Sequence, residues 1–132
     1  MFVIVSPVLL DVGSRSGRYT VHIEPGSSSH ITSLLNAARL PSRRFVVSNP
    51  TVWRLHEQAF ADLTSEEPIL LPDGERFKNL QTIGRIYDAL VRAHADRASA
   101  IVAIGGGVLG DTAGFAAATY LRGVPVVHVP TT

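Results

Sequence analysis

The chain has 132 residues, and its hydrophobic content of 45% suits one domain around one core. Its net charge of +1 gives no electrostatic signal for a nucleic-acid or membrane partner, and the absence of cysteine excludes disulfides, thiolate metal sites and a cysteine nucleophile. No apolar run approaches the ~18 residues needed to cross a bilayer.

The stretch Met1 to Leu10 is apolar but lacks a basic n-region and a small-residue cleavage site, so a cytoplasmic location is expected. Phe2 to Leu10 and Arg18 to Glu24 are β-rich, and Gly13-Ser14-Arg15-Ser16-Gly17 between them is a turn cluster. This predicts an antiparallel hairpin that covers an edge of a larger sheet. His22 falls on the polar side of the alternation and reads as a surface residue.

Pro25-Gly26-Ser27-Ser28-Ser29 precedes a helical stripe of Ile31, Leu34, Leu35 and Ala38, with serine caps expected ahead of it and Pro41 closing it. A strand is predicted over Arg44 to Ser48, with Arg43-Arg44 on a solvated strand edge. Asn49 then caps a helix that has Pro50 at its first position and Val52, Leu55, Ala59, Phe60 and Leu63 on one face. A short strand follows at Glu67 to Leu71. The polar loop Pro72-Asp73-Gly74-Glu75-Arg76-Phe77-Lys78 comes next, at the carboxyl end of that strand. There it is either a ligand loop or an ordinary Pro-Asp-Gly turn into a helix capped by Asn79. That helix carries Leu80, Ile83, Ile86, Tyr87, Leu90 and Val91 inward and Arg85, Asp88 and Arg92 outward.

Ile101-Val102-Ala103-Ile104 reads as a buried parallel strand, and it runs into Gly105-Gly106-Gly107-Val108-Leu109-Gly110-Asp111. A glycine turn opening a helix gathers unpaired N–H groups and a partial positive charge, which is where a pyrophosphate binds. Gly105-x-Gly107-x-x-Gly110 fits the dinucleotide fingerprint, although the turn follows several earlier strands and no acid lies about 20 residues downstream. Glycines selected for tight packing explain the same spacing. The helix after the turn is rich in small residues, with Asp111 in its first turn and Gly123 as its C′ residue. Val124 to Pro130 is the last strand, with His128 as a packed residue of it. The chain stops at Thr131-Thr132, at the ligand-binding end of a strand, so a fragment is expected.

The residues Gly105 to Asp111, Ala113-Gly114-Phe115-Ala116-Ala117-Ala118-Thr119-Tyr120, Arg122-Gly123, Val129-Pro130-Thr131-Thr132 and the loop Asp73 to Lys78 together resemble 3-dehydroquinate synthase. The likeness runs from about Phe45 onward and loosely includes the hairpin. It implies a Rossmann-like α/β domain, residues 1–132, with a mostly parallel sheet, flanking helices and an N-terminal β-hairpin, and a second, helical domain absent. It also implies an NAD-dependent, metal-dependent lyase of the shikimate pathway, acting on the sugar phosphate 3-deoxy-D-arabino-heptulosonate 7-phosphate. By position, Gly106, Gly107, Val108, Leu109 and Gly110 would cradle the pyrophosphate, with Asp111 nearby. Asp73, Gly74, Glu75, Arg76, Phe77 and Lys78 would line the adenosine and ribose side. Thr131 and Thr132 would complete the pocket, and Asn49 falls where the family places a ribose contact. Arg122 resembles the family arginine that reaches substrate phosphate across a homodimer interface. The family's zinc or cobalt ligands fall beyond Thr132, so the resemblance implies a cofactor-binding half that is inactive alone. A related inosose or valiolone synthase, or a non-catalytic nucleotide-binding module, would share most of these features.

Overall fold

A computed structural model describes residues 6–132. A four-stranded parallel sheet holds the molecule together, in the order β4 (Ile69–Leu70), β3 (Arg43–Ser48), β5 (Ser99–Gly105) and β6 (Val126–Pro130). The mostly parallel α/β architecture expected from the sequence is the one observed. β5 is buried at all seven residues, because neighbouring strands and helices enclose it on every side. Its run of Ala, Ile and Val has no polar alternation for that reason.

Alternate residues feed two cores. On one face Phe45, Val47, Ile101 and Ala103 meet α3 (Leu80–Arg92) and α4 (Gly107–Thr119) through Ile83, Ile86, Leu90, Leu109, Ala113, Ala116 and Ala117. On the other, Val46, Val102 and Ile104 meet α1 (Ile31–Ala37) through Ile31 and Leu35, and Phe60 and Leu63 from the 3-10 segment Glu57–Leu63. Three of the four alanines of α4, Ala113, Ala116 and Ala117, are fully buried, so the small side chains do let this helix lie close to the sheet.

Both predicted asparagine caps form. Asn49 Oδ1 accepts from Val52 N at 2.8 Å ahead of α2 (Pro50–His56), and Asn79 Oδ1 accepts from Thr82 N at 3.0 Å ahead of α3. The serine caps do not. Ser27–His30 winds into a 3-10 turn, Ser29 Oγ donates back to Gly26 O, and His30 occupies the cap of α1 without a side-chain bond. Leu55, Leu80 and Val91 are exposed, as is Ala59. α2 gives way to a 3-10 segment after His56, so Leu55 and Ala59 drop out of the stripe while Val52, Phe60 and Leu63 stay on the core. In α3, Leu80 lies at the first position and Val91 turns outward.

The arginine pair departs from expectation. β3 is an interior strand, and Arg44 is buried to 3% exposure. Its guanidinium donates to Pro41 O at 2.9 Å and Asn36 Oδ1 at 2.6 Å, so the charge serves the carbonyls and side chain at the end of α1. Burial pulls its pKa below the usual guanidinium value. Arg43, half-exposed, binds Glu66 and the carbonyls of Ala93 and His94 at the end of α3.

The hairpin is present but displaced toward its turn: β1 is Val8–Ser14, β2 is Gly17–Ile23, and two residues join them. The earlier part of the expected first strand, residues 2–5, lies outside the described residues. Among the described residues the hairpin forms a sheet of its own and pairs with neither edge of the main sheet, in place of the expected edge cover. His22 is half-buried instead of free on the surface: it and His30 both bond Glu24 Oε2, at 2.8 and 3.1 Å, joining the hairpin's base to the turn before α1. These two partners, His22 first, hold the Glu24 carboxyl below its ordinary pKa.

Candidate functional site

The carboxyl ends of β3, β4, β5 and β6 all open on the same side of the parallel sheet, and each is followed by a residue or loop singled out in the sequence. After β5 the chain turns through Gly106, in extended backbone, directly into α4 at Gly107. The first intrahelical bond is Gly110 N to Gly106 O at 3.0 Å, so the N–H groups of Gly107, Val108 and Leu109 have no partner in the preceding turn. Three free donors, the end of a thirteen-residue helix and no side-chain cap make an anion cradle.

The end of β6 closes one wall. Thr131 N donates to Gly105 O at 3.1 Å, and a methyl placed on Gly106 would stand 3.1 Å from Thr132 Oγ1. Gly106 is therefore required for the close approach of the Thr132 hydroxyl. Gly105 has a different reason: a methyl there would press on Leu109 at 3.3 Å. One glycine serves packing and the other serves the site, so both explanations of the glycine run hold, at different positions.

The loop after β4 closes the other wall. Gly74 takes φ 111°, a conformation that suits glycine, and turns the chain into the 3-10 segment Glu75–Phe77. Arg76 lies over the ring of Phe77 at 4.7 Å. Lys78 reaches across the glycine turn to Asp111 Oδ2 at 2.7 Å, with Glu75 Oε1 at 3.8 Å. Lys78 holds the Asp111 carboxyl below its ordinary pKa, and Asp111 in turn raises that of Lys78. Both groups are solvent-exposed, so this pair is a weak stabiliser of the fold and an available hydrogen-bonding pair for a ligand. A narrow cleft between the 73–78 loop and the start of α4 is lined by Asn49, Asp73, Phe77, Val108 and Leu109.

Thus the 73–78 loop, through Lys78 and Asp111, and Thr131-Thr132, through Gly105 and Gly106, both meet the 106–111 turn, and Asn49 lines the cleft beside that loop. Asn49 is a true cap as well as a lining residue. Asp111 is not in the first turn of its helix: α4 begins at Gly107, four residues earlier than expected, because glycines at the turn are already helical. Its role is fixed by Lys78 and not by the helix dipole.

Arg122 is not brought to this cleft. It lies at the far end of α4, about 20 Å from the glycine turn at 1.5 Å per residue. Leu121 and Arg122 both adopt left-handed backbone, φ 49° and 69°, ahead of Gly123 at φ 113°. α4 ends at Thr119, so Gly123 closes a following 3-10 turn instead of serving as the helix's C′ residue. Two successive non-glycine residues in that region cost roughly 1–2 kcal/mol each. The sequence reading missed Thr82 and Thr112, buried polar residues that also line the cleft. An isolated threonine within the alanine-rich α4 was the available signal for Thr112.

Among the described residues, no group of three or more His, Cys, Asp or Glu is placed to hold a metal ion. No helix among them is long and apolar enough to cross a membrane.

Residues 68–132 match the family described as 3-dehydroquinate synthase N-terminal. The 3-dehydroquinate synthase of Syntrophotalea carbinolica is 42% identical over 130 residues, covering 95% of this chain and 35% of that protein. That of Citrifermentans bemidjiense is 47% identical over 120 residues, covering 86% and 33%. Among solved structures, a 2-deoxy-scyllo-inosose synthase complexed with carbaglucose-6-phosphate, NAD+ and Co2+ superposes with a TM-score of 0.80 at 23% identity, over 94% of this chain and 35% of the other. At that identity the likeness establishes fold. A 2-epi-5-epi-valiolone synthase from Streptomyces hygroscopicus, with NAD+ and Zn2+ bound, gives 0.65 at 31% identity, over 74% and 29%. The chain spans about a third of the length of the relatives it matches, and its residues 68–132 match the N-terminal part of the 3-dehydroquinate synthase family.

Proposed function

We propose that this chain is the NAD-binding, N-terminal part of a 3-dehydroquinate synthase, which converts 3-deoxy-D-arabino-heptulosonate 7-phosphate to 3-dehydroquinate and phosphate in the shikimate pathway. The observation that carries the reading is the approach of both the 73–78 loop and Thr131-Thr132 to the 106–111 turn, where the N-terminus of α4 has no side-chain cap.

The residues fit a dinucleotide. The backbone N–H groups of Gly107, Val108 and Leu109 receive the pyrophosphate, and the bare Gly106 and Gly107 let it come close. Glu75, Lys78 and Asp111 are the side chains for ribose hydroxyls, the ion pair keeping Asp111 ionised and aimed. Asn49 and Asp73 line the adenosine side, with Gly74, Arg76 and Phe77 shaping that loop, and Thr131 and Thr132 close the wall at β6. When bound, the nicotinamide supplies a reversible oxidation of a substrate hydroxyl, and the task of this chain is to hold it and exclude water around it. The zinc or cobalt ion of the proposed reaction does not fit the described residues, so its ligands and most substrate contacts belong to the remaining two thirds of the protein. A homodimer in the cytoplasm is part of the proposal, with Arg122 reaching the substrate phosphate of the partner subunit. The strained backbone at Leu121 and Arg122 supports a presented side chain there. A related inosose or valiolone synthase is the second reading, supported by the fold likeness.

Calorimetric titration of the chain with NAD tests the cofactor role. Binding in the micromolar range is expected, with Lys78→Ala raising Kd about fivefold, the loss of roughly 1 kcal/mol for a half-exposed charged contact. A folded chain that shows no heat of binding at millimolar NAD would remove the reading.

A further inference from the structure

β6 directs His128 to the α4 side of the sheet, and the ring meets that helix where two glycines leave its backbone bare. A methyl on Gly110 would lie 3.4 Å from His128 Nδ1, and one on Gly114 would lie 3.4 Å from Cε1 and 3.7 Å from Nε2. The outer edge of the imidazole therefore runs along the helix from Gly110 to Gly114. Those distances are ordinary contacts for a methyl, so any longer side chain at either position would push the ring away. The charged group beside it is Asp111 of α4, whose carboxyl the imidazole also helps to hold below its ordinary pKa, and beyond that Lys78. From β5, the paired residue Ala103 offers only a methyl.

His128, exposed on one side, thus adds a side-chain contact between two parts of the cleft that are otherwise joined through the β5–β6 ladder, which ends at Gly105 and Pro130. Gly110 closes the first turn of α4, the turn whose N–H groups form the cradle. Three residues beyond His128 the strand delivers Thr131 and Thr132, held by one backbone bond to Gly105 and by the contact of Thr132 with Gly106. The residues flanking His128 in β6, Val127 and Val129, pack on the opposite face and cannot set the spacing to α4. Val126 does touch the α4 side, but it is two residues further from the cleft.

We propose that His128 is a positioning residue: its ring fixes the spacing between the first turn of α4 and the end of β6, so that the cradle amides and the two threonines face one ligand. The inference rests on the NAD reading for the identity of that ligand. It is a claim about ring shape. Because Gly110 and Gly114 have no methyl, the slightly longer ring of phenylalanine has room in the same place.

The chain with His128→Ala, His128→Phe or Gly114→Leu is compared with the unaltered chain by NAD calorimetry and by amide hydrogen exchange in the free protein. Exchange is read at Gly110 and Thr131, whose N–H groups are hydrogen-bonded to Gly106 O and Gly105 O of the glycine turn. His128→Ala and Gly114→Leu are expected to raise Kd about tenfold, the equivalent of one lost hydrogen bond, and to speed exchange at both amides by a similar factor. His128→Phe is expected within about twofold of the unaltered chain in both measurements. Unchanged exchange in His128→Ala, or His128→Phe as impaired as His128→Ala, would overturn the proposal. If the unaltered chain binds no NAD, the cofactor reading fails while the exchange comparison still decides the positioning role. If one of the two disruptive variants does not fold, the other carries the comparison.

Discussion

Replacing Arg44 by methionine decides whether a buried guanidinium without a carboxylate partner stabilises this fold or burdens it. Two effects oppose. Burial at 3% exposure removes the charge from water, an effective penalty of several kcal/mol. Against it stand donations to Pro41 O at 2.9 Å and Asn36 Oδ1 at 2.6 Å, each worth about 1.5–3 kcal/mol when the donor is charged. Methionine keeps the apolar stem and discards the charge, so the desolvation penalty vanishes along with the bonds. It also leaves acceptors behind. Asn36 is exposed and returns to water, whereas Pro41 O sits in a half-buried link between α1 and β3. We expect a net loss of about 2 kcal/mol, between the limits set by one orphaned carbonyl and two lost charged bonds. For a domain of this size that is about 6–10 °C in Tm. The assay is urea unfolding followed by Trp53, the single tryptophan, with the m-value checked for constancy. A methionine variant as stable as the unaltered chain, or more so, would refute the reasoning and show that desolvation wins.

Gly106→Ala keeps a backbone that alanine adopts, and Thr132 at the exposed end of the chain can yield. Stability should stay within about 1 kcal/mol while the Kd for NAD rises roughly three- to tenfold, both read on one sample by melting and calorimetry. Arg122→Gly relieves a left-handed residue and should raise the urea midpoint by the equivalent of about 1 kcal/mol; a lower midpoint would mean that the side chain contributes more than the strain costs. Glu24 has a depressed pKa in the folded chain, so its contribution is present above the ordinary carboxylate value of about 4.3 and is lost as pH falls through the folded value. Amide chemical shifts of β2 followed from pH 6 to pH 2.5 should therefore change at a midpoint below 4.3. A midpoint above it would reverse the sign.

Strand identity and the convergence of the cleft were legible because they rest on local signals. β5 reads as a continuous apolar run, and the two asparagine caps precede helices in the expected register. The loop after β4 and the turn after β5 occupy equivalent ends of parallel strands, so the sequence order alone predicts their meeting. Long-range placement was not legible. Nothing in Arg43-Arg44 distinguishes a solvated pair from one exposed and one buried arginine, because that depends on β3 being interior to the sheet. The stripes of α2 and α3 were overread at Leu55, Leu80 and Val91, since helical spacing says which residues share a face but not where the helix ends or changes pitch. The start of α4 was placed late because glycines are poor helix formers by propensity, yet here the close packing of β6 and a ligand cradle require them. His128, expected as a packed strand residue, is exposed, and its ring lies along α4 where Gly110 and Gly114 lack side chains.

The pairing of β3 with β5 imposes an order on assembly during synthesis. Arg43 and its partner Ser99 are 56 residues apart. At about 5–20 residues per second, the central strand reaches its neighbour roughly 3–11 s after β3 has been made, and β6 follows later still. The hairpin, with Val8, Leu10, Val12, Tyr19, Val21 and Ile23 all on one face of its ladder, needs only microseconds once its fifteen or so residues are free. Of the two sheets, the one that forms first on the ribosome is therefore a small, one-sided apolar ribbon, present for seconds before the parallel sheet exists. This interval exposes the ribbon to chaperones and is the point at which overexpression would send the chain into aggregates.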